Sequence, residues 1–565
     1  MVEQKWIALS NTTLGQLVAT INTSVIIVAL PPIFEGIGLN PLSPSSFSYL
    51  LWVIMSYMIV ISVLLVTVGK LSDMFGRVRL FNLGFLIFTV ASVLLYLTPG
   101  RSDRGALEII IFRIIQAVGG SFIMANSFAI ISDNFNPNQR GFAISINSVA
   151  SVSGVSIGIV LGGILSVIYW RDVFLLSVPL GIFGTVWSYL KLKETSPRKK
   201  QRIDVAGNIL FGSGLVVFLL GVTYGITPYR NSPMGWENPL VILALTAGAV
   251  LLVVFVVWEM RSEYPMFNLK LFRSKGFSIG SFTGFISAMG MMGLLYMLTL
   301  LFQGVWLPLH GVPYSITPLW AGIYMLPMTV SMGLFGILAG RISDRYGQRM
   351  LTVIGLLISA LSLLGLTFLS YNFSYVKMGI LITIFGAGYG LFNSPNISAV
   401  MNSVPASDRG SASGMLNNMR NTGYVASMGV FFSILIAGLA TSLPLHITSA
   451  LNSAGATSLV AYLSIMPPTE AIFGAFLGIN PVGAIIGAIP HLPTAIPAST
   501  VKLLEGNSWF PGVLAPSFMK SLDTVFYVIS VITIFGSILY FFRNERKRIK
   551  SEDLEKNPDG SLSVK

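Results

Sequence analysis

Two arginines stand where a membrane-type sequence should not hold charge. Arg113 lies in IIIFRIIQAVGG and Arg420 in MLNNMRNTGYVASMGVFF. A guanidinium carries five donors and no acceptor. Inside a bilayer it costs about 2.5–3.5 kcal/mol on insertion scales, so it needs a partner or an anion. Arg420 falls near the middle of its apolar run, Arg113 in the outer third of its own. Structural partners for Arg420 would be backbone carbonyls or Asn417, Asn418 and Asn421; a functional partner would be a negative or carbonyl group of a substrate. A third polar site is ATINTSVIIVALP, Ala19 to Pro31, with a knot at Thr20, Asn22, Thr23 and Ser24 and no carboxylate. Asn22 is an amide and carries no proton. The chain has no cysteine, and its histidines (His310, His446, His491) fall between apolar runs. No nucleophile, acid–base pair or metal-ligand cluster is evident, so neither enzyme activity nor a metal or cofactor is expected.

Such groups need a scaffold. Of 565 residues, 53% are hydrophobic and 10% charged, with mean hydropathy +0.77; soluble domains carry about 25% charge. Fourteen runs are long enough to span a bilayer: 13–34, 47–69, 80–98, 106–131, 142–167, 173–190, 205–226, 239–258, 277–303, 318–340, 350–370, 376–401, 410–438 and 521–542. All must be helices, because an open sheet leaves backbone groups unsatisfied in lipid. Of the 35 Lys and Arg, 26 lie on the side of the two termini and 7 on the other. Positive residues stay inside, so both termini are expected in the cytoplasm. The net charge of +13 is thereby a feature of loops, with no nucleic-acid partner expected. MVEQKWIALS has no cleavage-site pattern, so no removable signal is read. Segment 441–520 is expected as an external loop with a hairpin on or dipping into the membrane. The tail SEDLEKNPDGSLSVK has a disordered composition.

The chain repeats itself. GKLSDMFGRVRL from Gly69 returns as GRISDRYGQRML from Gly340, an offset of 271. QRGFA and DRGSA, aligned at Arg140 and Arg409, and AVGG (Ala117) and GAGYG (Gly386) recur at 269. Parallel repeats with a site between them near the midplane are transporter architecture. The organisation expected is all-α: a six-helix bundle over 1–192, two extra helices and linkers over 193–275, a second six-helix bundle over 276–542 containing the loop 441–520, and a tail over 543–565.

These residues resemble the major facilitator superfamily, and fourteen spans point to its drug/proton antiporter branch. The loop motif Gly-x-Leu-x-Asp-x-x-Gly-Arg is met by Gly69, Leu71, Asp73, Gly76 and Arg77; Arg-x-x-Gln-x-x-Gly is met by Arg113, Gln116 and Gly119. WRDVFLLSVPLG, IDVAG and WEMRSEYPMFNLKLF are also similar to that branch. In its first-span pattern, Leu-Asp-x-Thr…Ala-Leu-Pro, Ala29, Leu30 and Pro31 match, Ser24 replaces the Thr, and Asn22 falls at the Asp. Gly154, Gly158, Gly162 and Gly163 resemble the antiporter glycine motif, with Ile159 in place of its proline.

The resemblance implies a monomeric secondary transporter of the plasma membrane. It would export small amphiphiles by alternating access, with proton coupling; an uptake symporter or uncoupled facilitator is the alternative, and a transporter-like receptor a distant one. Asp73 is expected to accept bonds from a neighbouring helix N-terminus and Arg77 to bridge to Asp133, latching the inner side, with Asp344 and Arg349 in the weaker second copy. The cavity set is Asn22, Tyr57, Arg113, Gln116, Tyr296, Gln303, Asn396, Asn417 and Arg420. With no acid expected in the middle third of any span, and Asp523 read as opening the last one, neutral or anionic substrates are favoured. Glu35 and Glu108, or a protonatable substrate, remain to handle protons.

Overall fold

Fourteen helices long and apolar enough to cross a membrane build the computed structural model. It describes residues 3–40, 46–195, 204–230, 232–265, 267–405, 409–488, 496–542, 554–556 and 562–564. The first six are α1 (Gln4–Ile37), α2 (Ser46–Phe75), α3 (Arg77–Tyr96), α4 (Ser102–Asn134), α5 (Pro137–Ile168) and α6 (Asp172–Lys191). Next come α7 (Val205–Ile226) and α8 (Pro239–Arg261). The second half has α9 (Lys275–Leu309), α10 (Thr317–Tyr346), α11 (Gln348–Leu366), α12 (Tyr375–Asn402) and α13 (Arg409–Ser453). Short helices follow: α14 (Thr457–Leu463), α15 (Pro468–Phe476), α16 (Pro481–Ala488) and α17 (Ala498–Leu504). The last crossing is α18 (Trp509–Phe541). Fourteen crossings bring both chain ends to one face, called here the terminal face; the other is the far face. Beyond α18, two three-residue strands, Leu554–Lys556 and Leu562–Val564, pair in the tail.

The repeat is visible in the packing. In the first half α1 packs on α5, α2 on α4 and α3 on α4; in the second, α9 packs on α13, α10 on α12 and α11 on α12. The halves meet where α2 crosses α13 and α5 crosses α10. α7 and α8 pair with each other, and α7 also touches α2 and α13. α8 leaves Leu240, Leu243, Val250 and Val253 exposed, a face suited to lipid.

Gly154, Gly158 and Gly162 set the α1–α5 distance. A Cβ at Gly158 would stand 2.6 Å from the Ile21 carbonyl and 2.1 Å from Ser24 Oγ; one at Gly162 would stand 2.7 Å from the Val25 carbonyl. Small residues let helix backbones approach in this way. Gly163 faces α10 instead, at 2.7 Å from the Pro318 carbonyl. Valine at Gly158 overpacks this contact and is expected to lower stability by ~1–3 kcal/mol. Alanine at Gly414, which meets nothing within 4 Å, is expected to be neutral or slightly stabilising. Thermal melts of the two purified variants check the contrast; equal melting temperatures would refute the close-packing role.

Two helix ends differ most from the hydropathy reading. α13 was expected to end near 438 and α18 to begin near 521, yet α13 runs to Ser453 and α18 starts at Trp509. Polar residues lower mean hydropathy there without breaking the helix. Buried Leu439, Leu443, Ile447 and Leu451 make a stripe four residues apart, and so do Phe510, Leu514, Phe518 and Leu522, the pattern of amphipathic helices. Ser517 Oγ and His446 Nδ1 are 2.9 Å apart. One consequence is a correction: Asp523 does not open the last span but is its fifteenth residue of 33. It lies eighteen residues, roughly 27 Å at 1.5 Å per residue, from the terminal-face end.

Candidate substrate site and gates

Arg113 is the centre of a polar cluster in the first half. It is 1% exposed. Its Nη1 donates to Asn22 Oδ1 from α1 and to Gln116 Oε1 at 3.0 Å, and its Nε donates to the Val53 carbonyl of α2 at 3.4 Å. The guanidinium lies 4.3 Å from the centroid of the Tyr57 ring, a cation–π distance. Three residues along one helix face place Gln116 beside Arg113. Gln116 Nε2 passes the network to Ser92 Oγ at 2.8 Å, and Asn22 Nδ2 to Ser177 Oγ at 3.4 Å. The rest of the first-helix knot is local: Thr20, Thr23 and Ser24 donate to carbonyls of their own helix. Only Asn22 of that knot reaches Arg113.

In the second half, Arg420 Nη2 donates to Tyr424 Oη at 3.5 Å. A tyrosine one turn on is its partner, rather than the neighbouring amides the sequence offered. Asn418 instead donates to the Ser62 carbonyl across the halves, and Asn396 to the Gly280 carbonyl at 3.0 Å, tying α12 to α9. Asn417 is half-buried. Tyr296, from α9, reaches Met58 Sδ at 3.6 Å.

Among the described residues, a void of ≈ 10 Å³ is bordered by Ile27, Leu50, Tyr296, Phe432 and Phe476. Closure comes from the far face. Gln303 Nε2 donates to the Val28 carbonyl at 3.0 Å, joining α9 to α1. Residues Leu301–Trp306 form a π-helical turn within α9, a distortion frequent at functional sites. Against that turn sits α15: Phe476 meets Gly304, and Phe473 meets the Phe34 ring edge-on at 5.6 Å. α14 and α15 enclose a 104° bend, so this pair plugs the far face. Burial raises the Glu470 carboxyl in its first turn above the ordinary range.

On the terminal face, Arg77 ties three helices of the first half. Its Nη1 donates to Asp133 Oδ1 at 2.6 Å, and its Nε and Nη2 donate to Asp73 Oδ1 at 2.9 and 2.8 Å. Asp73 was expected at a helix N-terminus, but Glu194 occupies that role, accepting from the Arg77 and Val78 N–H groups at 3.3 and 3.0 Å. The reason is local: the residue before α3 is Gly76, which has no capping side chain, while φ of +110° there suits glycine. Gly69 meets nothing within 4 Å. In the second copy, Arg349 bonds the Phe541 carbonyl and lies 4.9 Å from its ring; the Asp344 side chain lies outside the described residues.

The proton candidates separate. Glu35 is exposed. Glu108 accepts from Gly100 N at 2.8 Å and Arg104 Nε at 3.0 Å. Asp523, in α18, has an Oδ1 that is buried with no hydrogen-bond partner. Among the described residues, no cluster of His, Cys, Asp or Glu could hold a metal.

Sequence reasoning missed Glu194, Ser92 and Ser177; for α15, in the segment 441–520 expected as a hairpin on or dipping into the membrane, it missed the contacts with Gly304 and Phe34. It also missed a clamp on the two extra helices. There Trp258 Nε1 donates to Asp204, Glu259 accepts from Phe267 N, and Lys70 Nζ donates to the Tyr264 and Pro265 carbonyls. The motifs IDVAG and WEMRSEYPMFNLKLF were the available signal for that clamp; nothing local signalled the others.

Two repeated six-helix halves around a buried polar centre define a multi-pass transporter rather than an enzyme. The model of the Major Facilitator Superfamily matches residues 12–428, and the chain belongs to that family. It is 28% identical over 440 residues to the riboflavin transporter RibZ of Clostridioides difficile, covering 78% of this chain and 90% of RibZ. It is 24% identical to the multidrug transporter protein MdtP of Bacillus subtilis, covering 97% and 94% of the two chains. The structure of a bacterial homologue of the human lysosomal transporter Spinster, inward-facing and unoccupied, aligns over 97% of this chain and all of that one, with TM-score 0.56 and 15% identity. Multidrug transporters among these relatives agree with the fourteen-span drug-transporter branch.

Proposed function

We propose that the chain exports neutral or anionic amphiphilic small molecules from the cytoplasm by alternating access, as a monomer with both termini inside. The observation that carries this reading is Arg113, buried on amide, carbonyl and ring partners with no carboxylate. A cationic drug would be repelled by this guanidinium, a neutral one would not, and an anionic one would supply its counter-charge. Multidrug relatives favour export; uptake or uncoupled transport by the same fold is the rival. The Arg77 triad, internal to the first half with the far face closed, is a latch element that engages the other half when the inner side shuts. Proton coupling runs through Asp523, whose buried oxygen is free to take a proton, or through a protonatable substrate, in preference to Glu35 and Glu108.

Everted vesicles test this reading. With an acid interior, addition of an amphiphilic anion such as fluorescein is expected to alkalinise the lumen while the dye accumulates. Accumulation in right-side-out vesicles instead would establish uptake. Accumulation indifferent to any pH gradient would establish a facilitator. Asp523→Asn is expected to abolish the pH response, and a full response in that variant would exclude Asp523.

A further inference from the structure

We infer that the far-face end of the α11–α12 pair is a binding site for one phospholipid with a monoanionic headgroup. The site does not depend on what is transported or in which direction.

A cavity of ≈ 520 Å³ lies there, with Phe368, Ser370, Asn372, Ser374, Lys377 and Ile380 in its lining. Small-molecule sites measure about 300–1,000 Å³. α12 has 28 residues, roughly 42 Å at 1.5 Å per residue, against a hydrocarbon core of about 30 Å. Its first turn, which carries Lys377, therefore lies at headgroup level. One wall is fixed from behind. Buried Phe373 stacks on Trp306 of α9 at 5.3 Å and 11°, and Trp306 Nε1 donates to the Phe373 carbonyl at 3.2 Å.

The rim is positive and holds no acid. Residues 345–407 contain no Asp or Glu, and Lys377 is exposed with no side-chain partner among the described residues. It is one of the 7 cations on the far side, which positive charge normally avoids. Two others there are satisfied internally: Arg104 pairs with Glu108, and Arg171 donates to the Thr98 carbonyl at 2.8 Å. Ser370, Asn372 and Ser374 add donors around Lys377, and Ser374 makes no side-chain bond to the helix it precedes. Exposed apolar residues lead from this rim toward the membrane centre: Ile380 and Ile384 on α12, and Phe368 followed by Leu361 and Leu357 of α11. Steps of four and seven residues keep each stripe on one helix face.

These features select the ligand. A soluble anion would use the rim alone, whereas a lipid uses the rim and both stripes. A choline headgroup brings a cation that finds no carboxylate here. A dianion exceeds the single lysine. A monoanionic phosphodiester meets Lys377, takes further bonds from the hydroxyl and amide donors, and lays its acyl chains along the stripes.

The chain has no cysteine, so Ser370→Cys creates a unique reporter inside the cavity. Its rate of modification by neutral N-ethylmaleimide is measured in nanodiscs of dioleoylphosphatidylglycerol and of dioleoylphosphatidylcholine. Asn452→Cys, exposed near the far-face end of α13, corrects for surface charge. After that correction, modification at 370 is expected to be about fivefold slower in phosphatidylglycerol, the factor equivalent to the ~1 kcal/mol of one lysine at an anionic surface. Lys377→Gln is expected to equalise the two rates and Lys377→Arg to preserve the difference. Equal rates with Lys377 present, or a difference that survives Lys377→Gln, would overturn the site. Glycerol 1-phosphate added to phosphatidylcholine nanodiscs is expected to give no protection; protection by it would mean a soluble phosphate ester and overturn the lipid. Labelling reads no transport, so the export reading and this site stand or fall separately.

Discussion

Replacing Asn22 by aspartate is expected to reverse the charge preference of transport. The Oδ1 of residue 22 already accepts from Arg113 Nη1 in a fully buried site. A carboxylate at the same place converts a neutral acceptor into a counter-ion. The bond already has one charged partner; aspartate makes it a buried ion pair, which costs about 3–5 kcal/mol to break from one side. An anionic substrate must then compete with an internal ion pair for the same guanidinium. Export of fluorescein by everted vesicles is expected to fall roughly tenfold or more, on a scale of 1.4 kcal/mol per decade. Ethidium, a cation of similar size, is expected to become a substrate. The direction follows from position: Asn22, Gln116 and the Val53 carbonyl share one guanidinium, and at residue 22 aspartate adds charge with almost no change of shape. Unchanged transport of both dyes would mean that Asn22 only packs α1 against its neighbours.

Removing the Arg77 guanidinium is expected to produce the second large effect. Arg77 serves Asp73 and Asp133 together, with side chains 20–26% exposed. Taking away a shared cation leaves two carboxylates near each other at the terminal-face ends of α2 and α4. Breaking a fully buried pair costs about 3–5 kcal/mol; partial exposure and solvent screening reduce this to ~1–2 kcal/mol. In Arg77→Gln the initial export rate per unit of membrane protein is expected to drop about tenfold, with insertion unchanged. Arg77→Lys should recover only part of the rate, because an ammonium cannot reproduce a planar fork bonded to two acids. An unimpaired rate in Arg77→Gln would remove the triad from the transport cycle.

Much of the architecture was legible in the chain. Membrane insertion depends on hydropathy summed over about 20 residues, a local property, so all fourteen crossings could be placed. The repeat was legible for a similar reason: GKLSDMFGRVRL and GRISDRYGQRML are contiguous strings. Where polar residues interrupt an amphipathic helix, the same sum fails. Lys520 and Asp523 hid the first twelve residues of α18, and with them the depth of Asp523.

The site divides along the same line. The sequence by itself determined that Arg113, Gln116 and Asn22 were polar residues in apolar spans and that Asn22 departed from a family pattern. It also determined that Asp73 and Arg77 were one helical turn apart. Only the tertiary structure decided that Asn22 accepts from Arg113, 91 residues away, and that Glu194 rather than Asp73 meets the start of α3. It likewise decided that Gly163 turns to α10 while its three companions face α1, and that α15 closes the far face against a π-turn. Insertion fixes each helix in the membrane one at a time. Which faces then meet depends on how fourteen of them pack, and small residues, ring edges and single hydrogen bonds decide that.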